Sequence, residues 1–269
     1  MTSLNGSAPA AIADTDARRT AILELARDSG RVRVSELSRL FGISAVSIRR
    51  DLAKLEGSGL LRRIHGGAVS VSSAMVPQSY EARQKRYSEE KKRIGQAAAH
   101  LIQPGDCVMF DSGTTVLQVA KHVARIAADR KPLTVITASL PVFRELAQVG
   151  DIQLFVLGGI YQPDYQTLVG PHTLANLRGF HVDKLFLGTD GLSLQHGVTT
   201  ADVLEAEVSR AMVQIAAEII IVSDSSKINS VGFTTIIPVS KISKLVTDQA
   251  APADFAAAIR EQGVDVLLV

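Results

Sequence analysis

Four short segments carry the side chains best suited to holding a ligand. Asp111-Ser112-Gly113-Thr114-Thr115 combines a carboxylate, three hydroxyls and a glycine. Between a strand and a helix, such a segment offers backbone amides and the positive end of the helix dipole to an anion. Its glycine lets a ligand approach the backbone. The same pattern also fits an ordinary turn capped by hydroxyl residues. Gly158-Gly159, Asp190-Gly191 and Asp224-Ser225-Ser226-Lys227 each follow an apolar run. Lys227 would offset phosphate charge, although a lysine after a strand is often only solvated. Asp111 and Asp190 would accept hydroxyl groups of a sugar.

A second chemistry belongs to residues 44–56. On a helical wheel Ile48, Leu52 and Leu55 share one stripe, while Val46, Arg49, Arg50 and Ala53 lie opposite, with Ala45 and Ser47 at the edges. Small residues near the start of such a helix permit close approach to a groove, and arginines reach phosphates or guanine edges. Lys54 adds a further cation. A solvated amphipathic helix would look similar, so the flanking elements decide. Arg18–Asp28 has helical apolar spacing and stops at Gly30. Ser35 is placed to cap a short helix through Phe41, Gly42-Ile43 makes a turn, and Ser44 caps the next helix. Leu60–Ile64 followed by His65-Gly66-Gly67 reads as a hairpin. Helix, short helix, turn, helix and hairpin form a winged helix-turn-helix, in which Arg62, Arg63, His65 and Gly66 lie along the wing.

The ligand segments need a different frame. Predicted strands are 108–110, 133–137, 152–157, 184–188, 219–223, 244–247 and 264–269; predicted helices are 88–102, 115–126, 141–149, 204–217 and 252–262. Continuous Val/Ile/Leu strands alternating with helices imply a mostly parallel sheet covered on both faces. In such sheets ligands lie at the carboxyl ends of strands, where all four segments would fall. The expected organisation is a tail over 1–15, the winged helix-turn-helix over 16–70, a linker over 71–88, and an α/β domain over 89–269.

Bulk properties agree. The 269 residues suit two domains, and 46% apolar with 21% charged residues is a globular composition. The net charge of +2 divides into +7 over residues 1–93 (17 basic, 10 acidic) and −5 over the rest (12 basic, 17 acidic). The basic portion is therefore the one expected to meet a polyanion. Cys107, the single cysteine, sits in an apolar run and reads as a buried strand thiol. No secretion pattern or membrane-length apolar run is visible, which points to a cytoplasmic protein without a membrane partner. No cofactor or metal is expected.

Leu40-Phe41-Gly42-Ile43-Ser44, Ser47-Ile48-Arg49-Arg50-Asp51-Leu52, Leu55-Glu56 and Arg63-Ile64-His65-Gly66-Gly67-Ala68 resemble the signature of the DeoR family of bacterial regulators. The likeness continues through Asp111–Thr115, Leu157-Gly158-Gly159, Asp183–Gly188 and Asp224–Lys227, which resemble that family's sensor domain. It implies a fold similar to ribose-5-phosphate isomerase and a sugar-phosphate inducer. Residues 216–269, with Leu187–Asp190 and Gly197–Thr200, look most like the N-acetylgalactosamine-pathway repressors of the family. Those imply an amino-sugar or tagatose phosphate. Thr137-Ala138-Ser139 departs from the pattern, having alanine where many members place asparagine.

The reading is thus a repressor that binds double-stranded operator DNA, releases it on binding a phosphorylated sugar, and works as at least a dimer, since helix-turn-helix proteins usually read paired half-sites. An activator would use the same DNA contacts. The enzymatic rival, a sugar-phosphate isomerase, needs a general base near the sugar C1–C2 bond, and the isomerases of the fold that the resemblance implies follow their Asp-Gly segment with an acidic residue and, soon after, a Lys-Gly-rich loop. Neither follows Asp190-Gly191 here, and Glu205 and Glu207 read as helical surface residues, so no catalytic residue is expected.

Overall fold

A computed structural model describes residues 15–29, 31–58, 61–64, 66–70 and 79–269. These fall into two compact units, one within Met1–Ser73 and one within Ala74–Val269.

The first unit runs α1 (Thr15–Ser29), β1 (Arg31–Arg33), α2 (Val34–Phe41), α3 (Ala45–Gly57), β2 (Leu61–Ile64) and β3 (Gly67–Ser70). Its apolar residues converge on one small core that includes Ile22, Leu37, Phe41, Ile48, Leu52, Leu55 and Leu61. Gly42 ends α2 at φ 66°, a left-handed conformation that glycine adopts without a Cβ penalty. That bend re-aims the chain so that Ser44 starts α3, its hydroxyl accepting from the Ser47 amide at 3.2 Å. The wing is a three-stranded antiparallel sheet in the order β1-β3-β2. Strand β1 was not expected; three residues give too short a pattern to read. Ser35 does not cap α2: the cap is Arg33, and Ser35 lies inside the helix, exposed.

The second unit starts earlier than expected. Of the presumed linker, residues 71–78 lie outside the described residues, but α4 (Tyr80–Lys85) follows, capped by Ser79. Tyr80 is 3% exposed, so this segment is part of the second unit rather than a connector. The charge division moves with it. Residues 1–73 hold 11 basic and 7 acidic side chains, a net of +4, because six cations from Arg83 to Arg93 belong to the second unit.

Next come α5 (Ser88–Ala99), β4 (Cys107–Phe110), α6 (Thr114–Ile126), β5 (Leu133–Thr137), α7 (Leu140–Leu146), β6 (Ile152–Val156), β7 (Ile160–Gln162), β8 (Thr167–Val169) and α8 (Pro171–Leu177). The chain continues through β9 (Val182–Leu187), β10 (Gly191–Ser193), β11 (Gly197–Thr200), α9 (Val203–Ile215), β12 (Ala216–Val222), β13 (Thr234–Ile237), β14 (Lys244–Thr247), α10 (Ala253–Glu261) and β15 (Asp265–Leu268). Seven strands form one sheet in the order β15-β14-β12-β9-β4-β5-β6, and every pairing in it is parallel. Both faces are covered, as the unbroken apolar strands require. Met109, Leu185 and Ile221 pack toward α9 and α10, whereas Phe110, Phe186 and Ile220 pack toward α5 and α6. Two small antiparallel sheets, β7-β8 and β10-β11-β13, sit beyond the main one.

The sheet order fixes where a ligand can go. From β4 the chain winds outward through β5 and β6, then restarts at β9 on the other side of β4 and winds the opposite way. Between β4 and β9 the winding reverses, opening a crevice at the carboxyl ends of these strands.

Candidate functional site

In the first unit α3 presents one exposed face. Ile48, Leu52 and Leu55 are buried; Val46, Arg49, Arg50 and Lys54 are exposed; Ala45 and Ser47 are half-buried. Val46 is 63% exposed, an apolar side chain left in solvent beside two arginines. Such a face supplies cations for phosphates and short side chains for base edges. On the wing, the Arg63 amide donates to Glu56 Oε1 at 2.9 Å and its guanidinium lies 3.7 Å from Glu56 Oε2. Gly66 is exposed at the turn. Arg62 lies on β2, its side chain outside the description, and His65 lies outside the described residues.

Asp51 was not singled out from the sequence. It is 2% exposed and receives Arg18 Nε at 2.9 Å and Arg19 Nε at 3.0 Å, tying α1 to the back of α3. Its helical position, one residue after Arg50, gave no sign of this long-range pairing.

In the second unit, Asp111–Thr115 and Asp190 flank the reversal point of the sheet. Gly113 adopts φ 112° with open space where a Cβ would be, and it starts α6 without a side-chain cap. By contrast α9 is capped by Asp202, which accepts from the Glu205 amide. The amino end of α6 therefore keeps donors for an external acceptor. Thr114 and Thr115 are buried in its first turn.

Asp111, Asp190 and Glu205 form a buried carboxylate cluster. Glu205 corrects the sequence reading: it is 6% exposed, not on the helix surface. Ser112 Oγ donates to its Oε1 at 2.6 Å, and the Thr200 hydroxyl contacts its Oε2. Burial, then Asp190 and Asp111, raise its pKa well above the ordinary carboxylate range. Burial lifts Asp111 to about 7, against hydrogen bonds from the Ser112 and Gly188 amides and the Ser209 hydroxyl. Burial also opposes ionisation of Asp190, but Lys227 and Arg83, the Tyr165 hydroxyl and the Ala201 amide outweigh it and hold Asp190 below its ordinary value. Tyr165 Oη donates to Asp190 Oδ2 at 2.6 Å. Thr200 Oγ1 lies 3.0 Å from that same oxygen while touching Glu205. One hydroxyl hydrogen cannot serve both acceptors. A protonated Glu205 donating to Thr200, which donates to an ionised Asp190, satisfies every group.

Cations gather opposite. Lys91, on α5, lies 3.8 Å from Asp224, and burial together with Lys227, Arg83 and Arg86 lowers it to about 8 despite Asp224. Arg83, on α4, stacks 4.4 Å over the Tyr165 ring and places Nη1 3.4 Å from Asp190 Oδ1. Lys227 is half-buried at the end of the turn that Asp224 caps. Tyr165, Arg83 and Lys91 had no motif to mark them, and Thr200 was marked only within the Gly197–Thr200 resemblance; the four reach the site from the β7–β8 turn, the presumed linker, α5 and β11. An anion and a polyol can both be held here, by the cations and α6 on one side and by Asp190 on the other.

Not every expected residue joins this group. Gly158 and Gly159 follow β6 at the sheet edge, two strands from β4. The Gly158 amide donates to Asn176 Oδ1, and a Cβ on Gly159 would stand 2.0 Å from Thr173 Oγ1, so close packing against α8 explains Gly159. Gly191 likewise packs under Ser230 and accepts from Thr189 and Thr199 hydroxyls through its carbonyl. Ala138 and Ser139 are buried at the end of β5, and Ser139 Oγ has no hydrogen-bond partner among the described residues. Among the described residues no group of three His, Cys, Asp or Glu side chains is arranged to hold a metal ion, and no helix is long and apolar enough to cross a membrane.

Comparison with known proteins covers both units. A family described as the DeoR-like helix-turn-helix domain matches residues 18–74, and one described as the DeoR C terminal sensor domain matches residues 86–249. The putative aga operon transcriptional repressor of Escherichia coli O157:H7 is 35% identical across 100% of this chain and 99% of its own length. The HTH-type transcriptional repressor GlcR of Bacillus subtilis (strain 168) is 34% identical over 93% of this chain and 95% of its own. Among solved structures, ribose 5-phosphate isomerase A from Methanocaldococcus jannaschii aligns with 52% of this chain and 54% of its own at 17% identity and a TM-score of 0.40.

Proposed function

The chain belongs to the DeoR family of helix-turn-helix transcriptional regulators, and from that premise we propose that it is a repressor released from its operator by a phosphorylated sugar. The observation that carries the proposal is the crevice at the sheet's reversal point. There the uncapped start of α6, with Gly113 open to approach, faces the same site as Asp190 and the charge of Lys227. The phosphate is assigned to the α6 amides, the Thr114 and Thr115 hydroxyls and Lys227; Asp190 takes the sugar hydroxyls. The relative whose name refers to the aga operon supports an amino-sugar or tagatose phosphate as effector. Ala138 withholds one side-chain contact from that sugar. On the DNA side, Val46, Ser47, Arg49 and Arg50 are assigned to the major groove, and Lys54 with Arg63 to phosphates. Two copies bind paired half-sites.

One observation favours a second reading. Glu205 is buried beside Asp190, where an isomerase would need a base. A base must be ionised with a free lone pair, whereas burial and the neighbouring carboxylates raise the pKa of Glu205 and its two oxygens are engaged by the Ser112 and Thr200 hydroxyls. It therefore organises the site. An expected outcome separates the readings: a panel of hexose, hexosamine and tagatose phosphates raises the melting temperature by mass action, lowers operator affinity and is recovered unchanged. Arg50→Ala weakens binding to a DNA fragment selected by the wild-type chain by about 1–3 kcal/mol. Turnover of a bound sugar phosphate would restore the isomerase reading, and unchanged affinity in Arg50→Ala would remove α3 from the interface.

A further inference from the structure

Helix α4 is fastened to the ligand site at several points, and each point is a loop at the carboxyl end of the sheet. Arg83 reaches Asp190 after β9 and donates through Nη2 to the Asp164 carbonyl in the β7–β8 turn. Its guanidinium also stacks on Tyr165 of that turn. Gln166, from the same turn, donates to Glu81 Oε1 at 2.8 Å. Lys91 donates to the Arg83 carbonyl at 2.6 Å while facing Asp224 after β12. No other described element beyond residue 73 stands nearer in sequence to the wing, with nine residues between the end of β3 and the start of α4.

Arg83 is also under-satisfied. Its contact with Asp190 is long at 3.4 Å, and its buried Nε has no acceptor among the described residues. The buried Tyr80 hydroxyl likewise has no partner among the described residues, and that ring lies 5.9 Å from the guanidinium. A buried donor without an acceptor is unfavourable, so an oxygen brought in by a ligand competes for this guanidinium.

We propose that α4 is the strap that couples the ligand site to the DNA-reading unit, and that Arg83 is its sensing side chain. With Arg83 on Asp190 and the Asp164 carbonyl, α4 holds the chain in its DNA-binding state. A ligand oxygen that takes over Asp190 or the Arg83 Nε–H re-pairs the guanidinium, and the change passes along the backbone to the wing. The proposal rests on the ligand reading above for what moves Arg83, but not for what Arg83 holds. Arg83 is accordingly a positioning residue for DNA affinity.

The test uses the full chain and a DNA fragment selected by the wild type from a random library. The ligand probes are N-acetylgalactosamine 6-phosphate, galactosamine 6-phosphate, tagatose 6-phosphate and inorganic phosphate. Without ligand, Arg83→Ala should lose about 5–150-fold in DNA affinity, the span of ordinary allosteric couplings. Arg83→Lys, which keeps the charge but not the fork, should recover part of it. Glu81→Ala, an exposed change that cannot unfold the domain, should lose about twofold. Any probe that raises the wild-type melting temperature should weaken wild-type DNA binding yet leave that of Arg83→Ala almost unaltered. Wild-type DNA affinity in ligand-free Arg83→Ala overturns the strap. If Arg83→Ala fails to fold, wild-type affinity in both Arg83→Lys and Glu81→Ala does the same. A wild type that answers to none of the probes removes the sugar-phosphate reading, and the ligand-free arm still decides the strap.

Discussion

Replacing Glu205 with glutamine should make the second unit more stable than the wild type at neutral pH and weaken the pH dependence of its stability. Glutamine reproduces the proposed hydrogen bonds of a protonated Glu205: its oxygen accepts from Ser112, and its amide donates to Thr200. The magnitude follows from linkage. A carboxyl whose pKa is raised by folding keeps its proton after the unfolded chain has released its own, so stability falls as pH rises. For Glu205 the fall begins near 4.5, its ordinary value, and continues until the folded group itself ionises. Asp111 contributes the same sign between about 3.8 and about 7. Each retained proton costs about 1.4 kcal/mol per pH unit. Wild-type stability should therefore fall as pH rises above the ordinary carboxylate range, and that of Glu205→Gln should fall less steeply. The four tyrosines, Tyr80, Tyr87, Tyr161 and Tyr165, all lie in the second unit and the chain has no tryptophan, so urea unfolding followed by tyrosine fluorescence reads this unit alone. Glu205→Ala supplies the contrast: it strands the buried Ser112 hydroxyl, at about 1–3 kcal/mol, and leaves a cavity. An undiminished pH slope in Glu205→Gln, or a loss above about 2 kcal/mol at pH 7 comparable to Glu205→Ala, would show that Glu205 is ionised and refute the proton assignment.

Two further outcomes are expected. Asp51→Ala should destabilise the first unit by about 3–5 kcal/mol, because Arg18 loses its buried partner carboxylate; hydrogen exchange of the α3 amides checks this, and protection equal to wild type would contradict it. Lys227→Ala should fold and bind DNA normally while losing about 1.5–3 kcal/mol of sugar-phosphate affinity, read by calorimetry; normal affinity would place the phosphate elsewhere.

The sequence alone determined the helix-turn-helix and the main parallel sheet. Apolar residues at helical spacing and Ser44 at a cap position required α3, and the unbroken Val/Ile/Leu runs required a sheet covered on both faces. These are local signals, set by periodicities of 3.6 and 2 residues. The candidate site was legible in part: Asp111 and Asp190 each follow a strand and a parallel sheet puts such residues at one edge, whereas Gly158-Gly159 falls at the far side of the sheet. What only the tertiary structure decided concerns partners far apart in the chain. Glu205 has an ordinary helical position and is buried only because α9 packs across the reversal point, against Ser112 and Thr200. Asp51 is turned inward by arginines more than thirty residues away. Arg83 sits in a polar stretch with little periodicity, because a six-residue helix held by side chains from β7–β8, β9 and β12 leaves no repeat to detect. Local pattern fixes which elements form; charge pairing across the fold fixes which of their residues become the site.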